Sequence, residues 1–264
     1  MGPQQPQQQS IPGVAHVIAV GSGKGGVGKT TVSVNLALAL SQMGREVGLL
    51  DADVYGPNVP LMLGTREQPK GGGESILPIE AKGLKVMSMG FISPGDKPLI
   101  WRGPMLHGVM QQFIRQVAWG ELDYLIIDLP PGTGDVQLSL LQTTTLTGGV
   151  VVTTPSAVSL EDARKAVLMF QQLRVDVLGM VENMSGGAFG SGGGRKTAEA
   201  MNVPFLGALG LNPAVCVGGD QGSPVTLMGE DHPDAAPFFE LARAVESRAE
   251  AKGAPKGPSF VVSD

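Results

Sequence analysis

The stretch that most constrains this chain is GSGKGGVGKTT, Gly21 to Thr31, which follows the short apolar run His16 to Val20. The segment after it, Thr30 to Met43, is apolar almost all round and stops before Gly44. That pattern predicts a deeply buried helix with a glycine just past its C-terminus. Gly23 to Thr30 satisfies G-x-x-x-x-G-K-[ST], a loop whose backbone N–H groups turn inward around an anion while the next helix adds its positive end. The bare pattern means little in a chain with 39 glycines. Between a strand and a helix it specifies phosphate binding. Gly23, Gly25, Gly26, Val27 and Gly28 then form the cradle, Lys29 reaches the β- and γ-phosphates, the Thr30 hydroxyl serves Mg²⁺, and Thr31 follows in the first helical turn. A second lysine, Lys24, stands five residues earlier, and phosphate binding alone does not require it.

The rest of the chain repeats short apolar runs: 16–20, 46–51, 84–89, 124–129, 149–154, 177–183 and 204–209. They are continuous rather than alternating, as expected of strands covered on both faces in a parallel sheet. Helical patterns lie between them. Pro104 suits the first turn of a helix with Leu106, Val109, Met110, Phe113, Ile114 and Val117 on one stripe. Ser159 with Asp162 reads as a cap before Ala163, Ala166, Val167, Phe170 and Leu173. A last helix is expected over 237–249. The expected fold class is α/β: a three-layer arrangement with a mainly parallel sheet and helices on both faces. The domain spans 14–250, preceded by a disordered Gln/Pro-rich tail over 1–13 and followed by a flexible tail over 251–264. The Gly-rich pieces 70–74 and 186–194 read as loops within that domain.

Composition narrows the function classes. The formal net charge is −5, which offers nucleic acid or an anionic membrane no general attraction. Val136 to Leu160 carries no charge, but polar residues, Gly148-Gly149 and Pro155 break it into helix, turn and buried strand rather than a membrane span. Cys216 is the single cysteine, so no intrachain disulfide forms, and a soluble protein of the reducing cytoplasm is the expectation.

Two acidic segments complete the predicted site. LLDADVYG closes a strand with Asp51 and Asp53, and YLIIDLPPGTGD closes another with Asp128, followed by Gly134 and Asp135. A carboxylate at a strand end beside the loop holds Mg²⁺ directly or through water, and a second one orients the attacking water.

These segments together resemble a known family. GKGGVGKTT is similar to the deviant Walker A loop of the MinD/ParA-like P-loop ATPases, in which an extra lysine precedes the usual one. LLDADVYGPNVPLMLG, IWRGPMLHGVMQQFIRQVAWGELDYLIIDLPPGTGDVQLSL, VVTTPSAVSLEDARKAVLMF and VLGMVENMSG resemble the Mrp/ApbC branch, the iron–sulfur cluster carrier ATPases. The similarity runs from about Ile11 to Glu250. It implies a P-loop NTPase fold, ATP and Mg²⁺ as ligands, hydrolysis to ADP and phosphate, and a homodimer. It further implies that Lys24 crosses the two-fold to the partner's phosphates, that Asp53 positions the hydrolytic water, and that Asp51 and Asp128 serve the metal. Gly134 joins the nucleotide-binding set, and Asn183 hydrogen-bonds the adenine edge, where an amide suits N6–H₂ and N7. No N-K-x-D guanine signature is present. The implied partner is an iron–sulfur apoprotein or assembly factor.

One departure stands out. Carriers of this branch place a C-x-x-C pair shortly after the segment matching VENMS, and the two pairs of a dimer hold a [4Fe–4S] cluster. This chain reads VENMSGGAFGSGGGRK there, without cysteine. Thiolates are the usual cluster ligands. The only candidate left is Cys216, which as a lone cysteine in an apolar setting is expected to be buried and structural. The alternative function is therefore a nucleotide-dependent switch or scaffold ATPase that carries no cluster.

Overall fold

In this computed structural model, residues 8–72, 75–92 and 103–253 are described. The apolar runs become strands β1 (Val14–Gly21), β2 (Val47–Asp51), β6 (Leu84–Ser88), β7 (Leu122–Asp128), β8 (Gly148–Thr153), β9 (Val177–Ser185) and β10 (Phe205–Gly210). Every residue of β2 and β8 is buried, so both faces of the sheet are covered there, which is why these segments lack alternation. The order across the sheet is β10-β9-β8-β1-β7-β2-β6-β5, with β5 (Ile79–Ala81) the one antiparallel member. A small hairpin of β3 (Lys70–Gly72) and β4 (Ser75–Leu77) lies apart, so residues 70–72 are paired rather than loop.

The helices are α1 (Lys29–Gln42), the single turn α2 (Val59–Met62), α3 (Gly103–Arg115), α4 (Asp135–Thr143), α5 (Ala157–Gln172), α6 (Gly193–Ala200), α7 (Pro213–Asp220) and α8 (Ala236–Lys252). Helix α1 is central: Leu36, Leu38 and Leu40 are fully buried, each worth about 1.5–3 kcal/mol of transfer free energy. It packs against α8 and the sheet. Gly44, at φ +87°, takes the left-handed position after its end, as the sequence predicts. On α3, Met110, Phe113 and Ile114 are buried, while the side chains of Leu106 and Asp135 lie outside the described part.

Three local expectations are corrected. Helix α5 is capped by Ser156, whose hydroxyl accepts from the Ser159 N–H; Ser159 instead accepts from the Thr154 hydroxyl at 2.8 Å. The chain before β1 is not all tail. Gln9 exchanges backbone hydrogen bonds with Thr143 and Thr145, and Ile11 is 3% exposed in the core. The Gly186–Gly194 segment holds a 3₁₀ turn (Gly187–Phe189) and the start of α6. Buried Glu182 ties it down by accepting from Ser185 Oγ, Gly192 N and Gly194 N. Helix α8 runs to Lys252; residues 1–7 and 254–264, the outer parts of both expected tails, lie outside the described residues.

Candidate nucleotide site

Parallel pairing brings the predicted residues to one edge. Asp51 stands opposite Asp128, and Asp128 opposite Val20, so the ends of β2, β7 and β1 lie side by side. Crevices at this edge are where open α/β sheets take ligands. The glycine loop leaves β1 here and enters α1. Gly23 packs so closely on α5 that a side chain there would overlap the Asp162 backbone, and the Ser22 hydroxyl donates to the Lys24 carbonyl at 2.9 Å. Gly26 and Gly28 have φ of +81° and +80°, a region costly for residues with a Cβ.

A cleft of about 490 Å³ opens over this loop, within the usual range for small-molecule sites. Lys24, Gly25, Gly26, Gly28, Lys29, Thr30, Thr31 and Asp53 all line it. Under its floor, Lys29 Nζ lies 2.8 Å from Asp128 Oδ2. The same oxygen accepts from Thr30 Oγ1 at 2.7 Å, and Asp128 Oδ1 accepts from Ser33 Oγ at 2.6 Å. Asp128 is fully buried. A buried carboxylate is tolerable only with such partners.

Asp53 points to the cleft with Oδ1 accepting from the N–H groups of Tyr55 and Gly56. Asp51 sits behind it, fully buried, accepting from Ser88 Oγ at 2.9 Å and from the N–H groups of Val59 and Asp53. Burial, then repulsion from Asp128, pushes the Asp51 carboxyl up to about 7. Gly134 caps the N-terminus of α4 and is absent from the cleft wall. Asn183 is 7% exposed and turns its amide to the loop, Nδ2 donating to the Val27 carbonyl at 2.9 Å. Lys24 is half-buried at the cleft, and among the described residues its ammonium has neither hydrogen bond nor ion pair.

The expectation for Cys216 is overturned. It is exposed, on α7, and lines the cleft. Asn212 caps this short helix through Ala214 N, Pro213 occupies its first turn, and Val215 and Cys216 line the cleft. The wall opposite the loop, including Asn58, Leu61, Val215 and Asp220, was not anticipated. Its readable signal was the Asn-Pro helix start; its neighbours carry no motif. Ser33, whose hydroxyl donates to Asp128 Oδ1, was also missed: it is one of several polar residues between Thr30 and Met43, and nothing in the sequence singled it out.

The fold and the loop define a P-loop NTPase. The family model described as NUBPL iron-transfer P-loop NTPase, within the ParA group, matches residues 13–246. The chain belongs to that family. It is 48% identical over 265 residues to an iron–sulfur cluster carrier protein of Synechocystis sp., covering 93% of this chain and 75% of that protein. It is 52% identical over 250 residues to the carrier protein of Deinococcus radiodurans, covering 90% and 71%. Among solved structures, a nucleotide-binding protein from Archaeoglobus fulgidus in complex with ADP superposes with a TM-score of 0.72 at 35% identity, over 87% of this chain and 93% of that one. The cell division ATPase MinD of Pyrococcus furiosus has the same fold, with a TM-score of 0.69 at 23% identity over 88% and 99%.

Proposed function

We propose that this protein binds ATP with Mg²⁺ and hydrolyses it to ADP and phosphate as a cytoplasmic homodimer, in the handling of iron–sulfur clusters. The observation that carries the reading is the buried Lys29–Asp128–Thr30 arrangement beneath an open glycine cradle. Space above Gly26, where an added Cβ would meet nothing within 4 Å, leaves room for a phosphate. Thr30 Oγ1 and Asp128 supply hard oxygen donors that fit Mg²⁺; Asp51, expected to serve the metal, is fully buried outside the cleft wall and instead holds the segment that carries Asp53. When bound, Mg²⁺ neutralises charge on the phosphate oxygens. Lys29 would hold the β- and γ-phosphates, and Asp53 would orient the attacking water. Lys24, which has no ion pair among the described residues, is suited to reach the phosphates of a second copy across a two-fold, acting as a cation supplied in trans. Calorimetry with ATP and Mg²⁺, followed by phosphate release and light scattering, tests this. Binding, turnover and an ATP-dependent dimer are expected; a chain that binds no ATP would overturn it.

A second reading, an ATP-driven switch or scaffold that carries no cluster, is favoured by one observation. The position of the family's cysteine pair is a glycine turn fastened by Glu182, and this chain has one thiol. Two copies present two thiolates, whereas a [4Fe–4S] cluster is ordinarily held by four.

A further inference from the structure

Asn35 and Gln42 stand seven residues apart on α1, so they share one face of that helix, and both reach Thr226. Thr226 is fully buried, in the 3₁₀ turn Val225–Met228. Its hydroxyl and its N–H donate to Asn35 Oδ1 at 3.0 and 3.4 Å, and its carbonyl accepts from Gln42 Nε2 at 2.8 Å. Each polar group of Thr226 therefore meets a side chain of the helix that follows the glycine loop. Asn35, itself buried, donates from Nδ2 to the Thr31 carbonyl at 2.9 Å. A carbonyl only accepts, so that contact fixes which amide atom faces Thr226. The segment before Thr226 carries this anchorage to α7. Ser223 N donates to the Gly218 carbonyl at 2.8 Å, and a side chain at Gly218 would overlap the Ser223 carbonyl. A side chain at Gly222 would overlap the Gly64 backbone, just past α2. The later part of α7, with Cys216, Gly219 and Asp220 on the cleft wall, is thus seated on a segment that hangs from Asn35. The start of α7 is fastened separately, Asn212 Nδ2 donating to Asp234 Oδ1 at 2.6 Å.

We infer that Asn35 is a positioning residue for the far wall of the nucleotide cleft: by holding Thr226 it seats α7, and so sets the space left for the nucleoside. The inference rests on the nucleotide-binding reading. A triphosphate on the glycine loop leaves the opposite wall to the rest of the ligand, so the two can be separated by experiment. Thr226→Val removes the hydroxyl bond at nearly constant shape, Thr226→Ser restores it, and Asn35→Ala removes the amide. Affinities for ATP and for inorganic tripolyphosphate are measured by calorimetry. Loss of one neutral hydrogen bond scales to about fivefold. Thr226→Val should weaken ATP by that factor and leave tripolyphosphate at parental strength, with Thr226→Ser at the parental value for both. Asn35→Ala should weaken ATP at least as much, and adding Thr226→Val to it should cost nothing more, the signature of two residues acting as one contact. Should Asn35→Ala fail to fold, the two Thr226 variants decide alone. Equal weakening of ATP and tripolyphosphate in Thr226→Val would overturn the inference, because the loop rather than the wall would then have moved. Parental ATP affinity in Thr226→Val would overturn it as well. Failure of the parent to bind ATP strikes instead at the nucleotide reading itself.

Discussion

Lys29 and Asp128 form a buried ion pair, Nζ to Oδ2 at 2.8 Å, that joins the glycine loop to the end of β7. Removing one member of such a pair leaves an uncompensated charge. Lys29→Ala should abolish tight ATP binding and cost about 3 kcal/mol of stability, read by calorimetry and by denaturant unfolding. ATP affinity preserved in that variant would remove Lys29 from the phosphate site.

Lys24 has no such anchor among the described residues, so its loss should leave the fold and nucleotide binding intact. Turnover should fall on the order of 10³-fold, as for other cations supplied in trans. Asp53→Ala should retain ATP and accumulate the dimer, because the residue lines the cleft and, among the described residues, its carboxylate bonds only the local turn. Parental hydrolysis by Lys24→Ala would sink the trans role.

Gly23→Ala should weaken both stability and ATP binding. The added methyl would overlap the Asp162 backbone, and a clash with backbone is relieved only by moving the loop off α5. A cost of about 1–3 kcal/mol is expected, checked by thermal unfolding and nucleotide titration together. Normal melting with normal binding would mean that the loop does not sit on α5.

Asp51 makes stability pH-dependent in an unusual direction. Its carboxyl titrates near 7 in the folded chain, against 3.8 for the ordinary group. Between those values the folded state holds the extra proton, so this group's contribution falls as pH rises from about 4 to 7. Asp51→Asn should flatten that decline in urea unfolding series taken across the window. An identical slope in the variant would contradict the assignment.

Cys216, exposed at the cleft, should react with a maleimide in the native protein, and bound ATP should slow the reaction. With two thiols per dimer, anaerobic reconstitution with iron and sulfide should leave iron well below four per dimer. A stable brown dimer with four irons, lost in Cys216→Ser, would restore the carrier reading with this thiol as a ligand.

Much of the site was legible because its parts are local in the chain. The loop, Lys29 and Thr30 are consecutive, and Asp51 and Asp128 each end an apolar run. Cys216 was misread because an apolar neighbourhood in sequence does not say which side of a short helix meets the core. The α5 cap was misplaced because Ser159 with Asp162 fits the S-x-x-D pattern, whereas the helix begins one turn earlier after Ser156, which backbone conformation alone decides.

The sequence by itself determined the strand–loop–helix unit, the parallel sheet and the glycine-loop motif, since continuous apolar runs and glycine spacing act through neighbouring backbone. Tertiary structure alone decided that Asp128 spans 98 residues to Thr30, that the Asn183 amide reaches the Val27 carbonyl, and that α7 walls the cleft with Cys216. Those relations depend on strand register and helix rotation, which are set by the packing of the whole core and by no single segment of chain.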